Sequence, residues 1–75
     1  MDNIIAIERP SVTQLIGLHE KLSENEVISE VFDVDGSSFP DDFTIRQYKY
    51  AYALLYNNNY DKLSDLLDYI GWKRK

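Results

Sequence analysis

The sequence predicts a mainly α fold, a compact bundle of three to four short helices in a single domain of residues 1–75. Apolar residues recur at intervals of three and four along the second half of the chain, which places them on one face of a helix. Patterns typical of helix N-caps precede several of these runs. A chain of 75 residues has room for one small core, and it contains no cysteine that could stabilise that core through a disulfide.

Residues 41–72 are expected to form the centre of the fold, as two helices joined by a tight turn at residues 57–59. The first helix is predicted to run to about residue 57 and to carry the widest apolar surface in the chain. The second is predicted over residues 60–70, and Gly71 stands where helices commonly end. The candidates for the N-cap of the first helix are Asp41, Asp42 and Thr44.

A capping box predicts the first helix of the chain, over residues 12–22. The Ser11 hydroxyl can accept a hydrogen bond from the backbone N–H three residues later, and the Gln14 side chain can bond back to the N–H of Ser11. The preceding run, residues 3–8, is short, apolar and partly β-branched. It fits either a short strand or an extended arm.

Residues 24–32 are predicted to form a second short helix. Ser23 and Glu26 repeat the capping pattern, and acidic side chains in the first turn favour the helix dipole. Residues 27–34 are also rich in β-branched side chains, which fit a strand. The helix is the preferred interpretation, and the strand is the alternative.

The charge of the chain is acidic and unevenly distributed, with a formal net charge of −5 from 13 acids and 8 bases. Between Glu20 and Asp42 there are eight acids and one base, Lys21. Direct binding to DNA, RNA or an anionic membrane surface needs clustered Lys and Arg, so the composition argues against these partners. The N-terminus lacks the pattern of a signal peptide, and no apolar run is long enough to span a membrane. A cytoplasmic protein is expected.

Side chains that usually support catalysis or metal binding are scarce. Because His19 is the only histidine and cysteine is absent, a catalytic triad or a zinc site would lack members, and a half-buried structural role is expected for this histidine. The segment that starts at Asp33 resembles the opening of a calcium loop, but Ser38 and Thr44 stand where that loop needs Gly and Glu. The sequence therefore predicts no enzymatic activity, no metal site and no cofactor.

The acidic middle of the chain is the candidate partner-binding site. A run of charge is often only a solvated face, and this interpretation stays open. A sharper hypothesis is that carboxylates on rigid helices imitate nucleic-acid phosphates and occupy the Lys/Arg surface of a DNA-binding protein. The predicted binding residues are Glu24, Glu26, Glu30, Asp33, Asp35, Asp41 and Asp42.

Tyr48, Tyr52 and Tyr56 recur every four residues and therefore form a stripe along one predicted helix. The stripe fits a core face with its hydroxyls at the rim. Alternatively, it fits the surface of a homodimer or of an adaptor module that binds a protein partner, because tyrosine is enriched at interfaces. Direct DNA reading by residues 46–50, which alternate bases with aromatics, is a third interpretation that the acidic surroundings oppose.

The segment from Gln14 to Leu18 partly matches the Gln-Leu-polar-Leu-Phe pentapeptide that binds the DNA polymerase sliding clamp. In this feature, and in its size, acidity and lack of catalytic motifs, the chain resembles small phage proteins that inhibit host machinery. Several of these are DNA mimics, and they include staphylococcal-phage inhibitors of the sliding clamp. The resemblance implies a non-enzymatic inhibitor of a host replication or transcription protein, with the clamp as one candidate partner. Because the pentapeptide lies inside a predicted helix, an acidic face in the DNA channel is the preferred mechanism.

Overall fold

The computed structural model describes residues 8–75, and four helices make up most of this part of the chain. They are α1 (Val12–Glu24), α2 (Glu26–Val31), α3 (Ile45–Tyr56) and α4 (Tyr60–Tyr69). The predicted mainly α bundle is confirmed, and so is the helical interpretation of the segment after residue 24. The extended segment predicted at residues 3–8 lies almost wholly outside the described residues.

The first two helices are separated at Asn25, because this residue ends α1 and begins α2. Its backbone N–H donates to the carbonyl of Leu22, and its side-chain oxygen accepts from the N–H of Ile28 at 3.0 Å. The prediction that Ser23 caps the second helix is wrong. Ser23 lies inside α1, where its hydroxyl donates to the carbonyl of Glu20 at 2.9 Å. The capping box at the start of α1 is confirmed.

The third helix begins at a second capping box, in which Thr44 is the N-cap. The Thr44 hydroxyl accepts from the N–H of Gln47 at 3.1 Å, and the Gln47 side chain accepts from the N–H of Thr44 at 2.9 Å. Of the three candidate caps, this is the one that is used. Asp41 and Asp42 instead lie in an exposed turn, before the buried Phe43.

The turn between α3 and α4 uses the conformational tolerance of asparagine, as predicted. Asn58 adopts a left-handed conformation with φ of 58°, and Asn59 caps α4. Gly71 ends this helical hairpin with φ of 86°, a value that residues with a Cβ rarely adopt. The two helices are therefore reversed sharply and pack against each other.

The core lies where the helices meet: α3 packs on α4, α1 contacts α2 and α3, and α2 contacts α4. Leu63, Leu66 and Leu67 lie three and four residues apart on α4 and are all buried, with Ile70 packed against the core at its edge. The buried apolar residues are Leu18, Leu22, Ile28, Phe32, Val34, Phe43, Ala51, Leu54, Leu63, Leu66, Leu67 and Trp72.

The C-terminal residues 73–75 pair with the segment that follows α2. The N–H of Asp33 donates to the carbonyl of Lys73 at 3.0 Å, and the N–H of Lys75 donates to the carbonyl of Val31 at 2.9 Å. Phe32 and Arg74 thus form an isolated antiparallel bridge, with the Arg74 guanidinium 4.9 Å from the centre of the Phe32 ring. This pairing joins the end of the chain to its middle.

Candidate functional site

The predicted acidic residues of the first two helices point into solvent. Glu24 and Glu26 lie on either side of Asn25, and Glu30 lies one turn beyond Glu26 on α2; all three are exposed. Since residues four apart share a helix face, Glu26 and Glu30 lie one above the other. Glu26 and Glu30 therefore share one face of α2, and Glu24 lies at the end of α1, two residues before Glu26.

Asp33 differs from the other predicted acids because it is half-buried and holds a turn. Its Oδ1 accepts from the N–H of Gly36 at 3.1 Å, and its carbonyl accepts from the N–H of Ser37 at 2.9 Å. A Cβ at Gly36 would lie 2.7 Å from the Asp33 carboxylate, so a larger residue at this position would require the Asp33 side chain to shift. These bonds give Asp33 a structural role.

The connection between α2 and α3 carries the remaining predicted acids. Asp35, Asp41 and Asp42 are exposed, and no basic residue occurs between Lys21 and Arg46. Within residues 8–75, the described ion pair joins Arg74 to Asp68, which is not one of the predicted acids. The carboxylates of this connection are therefore available to a partner.

The basic tail lies beside part of the acidic surface, which sequence analysis did not predict. Lys73 and Lys75 are paired through their backbones with Asp33 and Val31, so these two basic residues lie next to the segment that carries Asp33. Charges within about 10 Å of each other still interact at 0.1 M salt. Positive charge on the tail would therefore reduce the negative potential around residues 30–33 and divide the acidic surface into two parts.

The tyrosine stripe on α3 is half-buried at two of its residues and exposed at the third. Tyr48 and Tyr52 are half-buried and pack edge to face, with ring centres 5.3 Å apart. Burial, followed by the proximity of Tyr52, raises the pKa of the Tyr48 hydroxyl. Tyr56 is 86% exposed, so the core interpretation of the stripe does not hold at this position, and the interface interpretation stays a prediction.

A groove lies between α1 and the connection to α3, where neither a motif nor a charge run predicted one. It has a volume of about 420 Å³. Its apolar lining is open to solvent, since Val12 is 73% exposed and Ile16 is 56% exposed. The lining residues are Val12, Leu15, Ile16, His19, Ser37, Ser38 and Phe39. In the sequence, this surface is indicated by Val12 and Ile16, two apolar residues that lie four positions apart on α1.

His19 forms the floor of this groove and packs against aromatic side chains. Its ring centre lies 5.9 Å from that of Phe39 and 5.8 Å from that of Trp72, so the predicted half-buried histidine is confirmed. Its Nε2 and the Ser37 Oγ are buried and have no hydrogen-bond partner among the described residues. Buried polar atoms normally have such a partner, so the hydrogen-bonding capacity of these two buried atoms is unsatisfied.

The segment resembling a clamp-binding pentapeptide is not displayed as an extended peptide. It lies within α1, the Gln14 side chain is engaged in the capping box, and Leu18 is fully buried.

No protein-family model, curated protein or solved structure matches this chain. Among the helices of residues 8–75, none combines the length and the apolar character that crossing a membrane requires. The arrangement of the side chains is therefore the basis for inferring a function.

Proposed function

We propose that this protein is a non-enzymatic inhibitor that binds another protein. Its acidic surface would occupy the basic, DNA-binding surface of a replication or transcription protein, of which the sliding clamp is one example. The observation that supports this most is the exposure of Asp35, Asp41 and Asp42 in a connection without bases. A basic surface evolved to bind phosphates would be attracted to such a group of carboxylates.

The acidic surface has two parts that would contact the partner. One is the α1–α2 junction with Glu24 and Glu26, and the other is the connection with Asp35, Asp41 and Asp42. Glu30 and Asp33 lie between them, next to the basic tail, and would contribute less. The proposal therefore places most of the binding energy outside residues 30–33.

Several carboxylates would each contribute a small part of the binding energy of such a surface. An ion pair between exposed side chains contributes about 0.2–1 kcal/mol, so no single carboxylate would dominate. Several of them together would accelerate association, and added salt would weaken the complex. These two properties distinguish the proposed mechanism from contact through one buried apolar residue.

The test compares two triple variants that each remove three negative charges. In the first, Asp35→Asn, Asp41→Asn and Asp42→Asn neutralise the connection; none of these side chains makes a described hydrogen bond. In the control, Glu8→Gln, Asp61→Asn and Asp65→Asn neutralise exposed acids elsewhere. Each immobilised protein is used to capture partners from a bacterial lysate, followed by elution with a salt gradient.

We expect the unmodified chain and the control to retain a basic DNA-binding protein that moderate salt releases and that DNA displaces. The connection variant should retain much less of it. Equal retention by both variants, or a partner that salt does not release, would contradict the proposal.

An alternative function is a dimerising adaptor that binds through the tyrosine-rich face of α3. The observation that favours it is the 86% exposure of Tyr56 at the end of that helix. Because apolar contacts are insensitive to salt screening, such a dimer would persist in high salt. Sedimentation equilibrium with the unmodified chain and with Tyr56→Ser would reveal it as a salt-resistant dimer that the substitution weakens.

A further inference from the structure

We propose that the groove between α1 and the connection to α3 binds one face of a basic amphipathic helix of the partner protein. The groove supplies an apolar surface on which such a helix can lay its apolar residues. It has about 420 Å³ of open volume, within the range of roughly 300–1,000 Å³ found for binding pockets. The inference rests on the proposed function in one respect, the attraction of a basic partner.

The apolar part of the argument comes from α1. Val12 and Ile16 lie four residues apart, so their side chains are neighbours on one helix face, and both are mostly exposed. Leu15 and Phe39 continue this surface inward, where they pack on the core. An exposed apolar surface of this kind can pack against the face that apolar residues at i, i+3, i+4 and i+7 form on a partner helix.

The charge around the groove defines the chemistry of the partner. Its second wall, residues 37–39, lies two residues after Asp35 and two residues before Asp41, both exposed. Two residues of extended chain span at most about 7 Å, so the backbones of both aspartates lie close to this wall. The bases nearest to the groove in sequence are Lys21, two residues after His19, and Arg9, three residues before Val12. Two residues correspond to about 200° around a helix, so Lys21 lies on the opposite side of α1 from His19. A partner with Lys or Arg beside its apolar face is therefore favoured, and an acidic one is disfavoured.

Two polar atoms lie behind the lining of the groove. The Ser37 Oγ and the His19 Nε2 have no hydrogen-bond partner among residues 8–75, and both atoms are shielded from solvent. Ser37 is 91% buried, since 9% of its surface is exposed. A docked helix therefore does not reach these atoms, and the preferred ligand is an apolar helix face that is flanked by bases.

The experiment uses the full chain and a synthetic helix of about 18 residues, with leucines at i, i+3, i+4 and i+7 and lysines elsewhere. One control peptide has the same composition with the leucines dispersed, and another has glutamates in place of the lysines. Binding is measured by fluorescence anisotropy, and the contact surface by NMR shifts of backbone amides and methyl groups.

Two protein variants form a matched pair for this test. Ile16→Ser removes a groove residue that is 56% exposed, and Val27→Ser removes a residue of α2 that is 48% exposed and outside the groove lining. Because neither residue belongs to the buried core, both variants should fold, which circular dichroism can check. We expect Ile16→Ser to weaken binding of the lysine helix about tenfold, the loss typical of an interface anchor, and Val27→Ser to leave it unchanged.

The expected NMR shifts lie in residues 12–19 and 37–39. Equal affinity for the ordered and dispersed peptides, or equal affinity of the two serine variants, would overturn the groove proposal. If the triple variant at Asp35, Asp41 and Asp42 nevertheless bound the lysine helix more weakly than the unmodified chain, the proposed acidic surface would remain supported and only the groove would be rejected. Unchanged affinity of that triple variant, or equal binding of the glutamate peptide, would overturn the choice of a basic partner.

Nuclear Overhauser contacts between the Ile16 methyls and residues 4–7 in the free protein would show that the chain itself covers the groove, and would also overturn the proposal.

Discussion

Among single residues, Tyr48 has an environment that affects its ionisation. Its ring is half-buried against Tyr52, and burial disfavours the charged phenolate, so its pKa lies above the ordinary value of 10.0. The folded protein therefore binds this proton more tightly than the unfolded chain. The resulting contribution to stability is complete below pH 10 and is lost as the pH rises through the pKa of the folded state.

We predict that a spectrophotometric titration of the tyrosines contains a late component that belongs to Tyr48. The Tyr48→Phe variant should lose this component, whereas Tyr56→Phe, at the exposed end of the same stripe, should retain it. A late component that persists in Tyr48→Phe would assign the raised pKa to another residue.

The pair of Asp68 and Arg74 predicts a second pH dependence, at the acid end. The guanidinium donates two hydrogen bonds to the carboxylate, at 2.8 Å and 2.5 Å, and these bonds lower the pKa of Asp68 below 3.8. A lowered pKa in the folded state means that the stabilisation is present above pH 3.8 and is lost as the pH falls through the folded value.

The Asp68→Asn variant should accordingly be less stable than the unmodified chain near neutral pH, and the difference should shrink below about pH 4. Urea unfolding at several pH values measures this convergence. Asp35→Asn, which removes an exposed carboxylate without a described bond, is the control and should not reproduce it. A difference that is constant with pH would mean that the carboxylate charge is not the cause.

At the scale of the helices, the local signals in the sequence were sufficient for prediction. The capping box at Ser11, the asparagine turn and Gly71 all act on residues within one turn of themselves, so they can be recognised without the fold. The break at Asn25 was placed two residues too early, because Ser23 carries the same capping chemistry and only packing decides between them. Pairing of residues 73–75 with the segment after α2 depends on contacts between distant parts of the chain, and no local pattern encodes it.

The start of α3 provides a test of how a helix end is chosen. Thr44→Ala removes the hydroxyl that accepts from the Gln47 N–H and should reduce the free energy of unfolding by about 1 kcal/mol, within the 0.5–2 kcal/mol range of N-cap substitutions. Asp42→Ala, at an exposed position two residues earlier, should change it by less than about 0.5 kcal/mol. Chemical denaturation measures both values. A larger loss for Asp42→Ala would place the functional cap in the preceding turn.

At the scale of the whole molecule, the sequence predicted the exposure of most of the candidate acids but not what surrounds them. Glu24, Glu26 and Asp35 are exposed as expected, since charged side chains are rarely buried without a partner. The turn made by Asp33 and the position of the tail arise only when residues far apart in the sequence meet. The groove likewise needs α1 and residues 37–39 to lie side by side, so charge alone could not reveal it.

The position of the tail makes a prediction about binding that concerns the whole surface. Lys73 lies beside Asp33 through their backbone hydrogen bond, whereas Lys62 lies in the first turn of α4. Lys73→Gln keeps the backbone pairing and removes a positive charge next to the acidic surface. It should tighten binding of the lysine helix roughly two- to fivefold at low salt, the size of one exposed charge interaction. Lys62→Gln removes the same charge from a residue that does not pair with the acidic segment, and it should have a smaller effect at 0.1 M salt. Anisotropy titrations at two salt concentrations measure both. If both variants gained affinity for the lysine helix equally, net charge alone would govern binding. The position of the tail beside the acidic surface would then have no effect on binding.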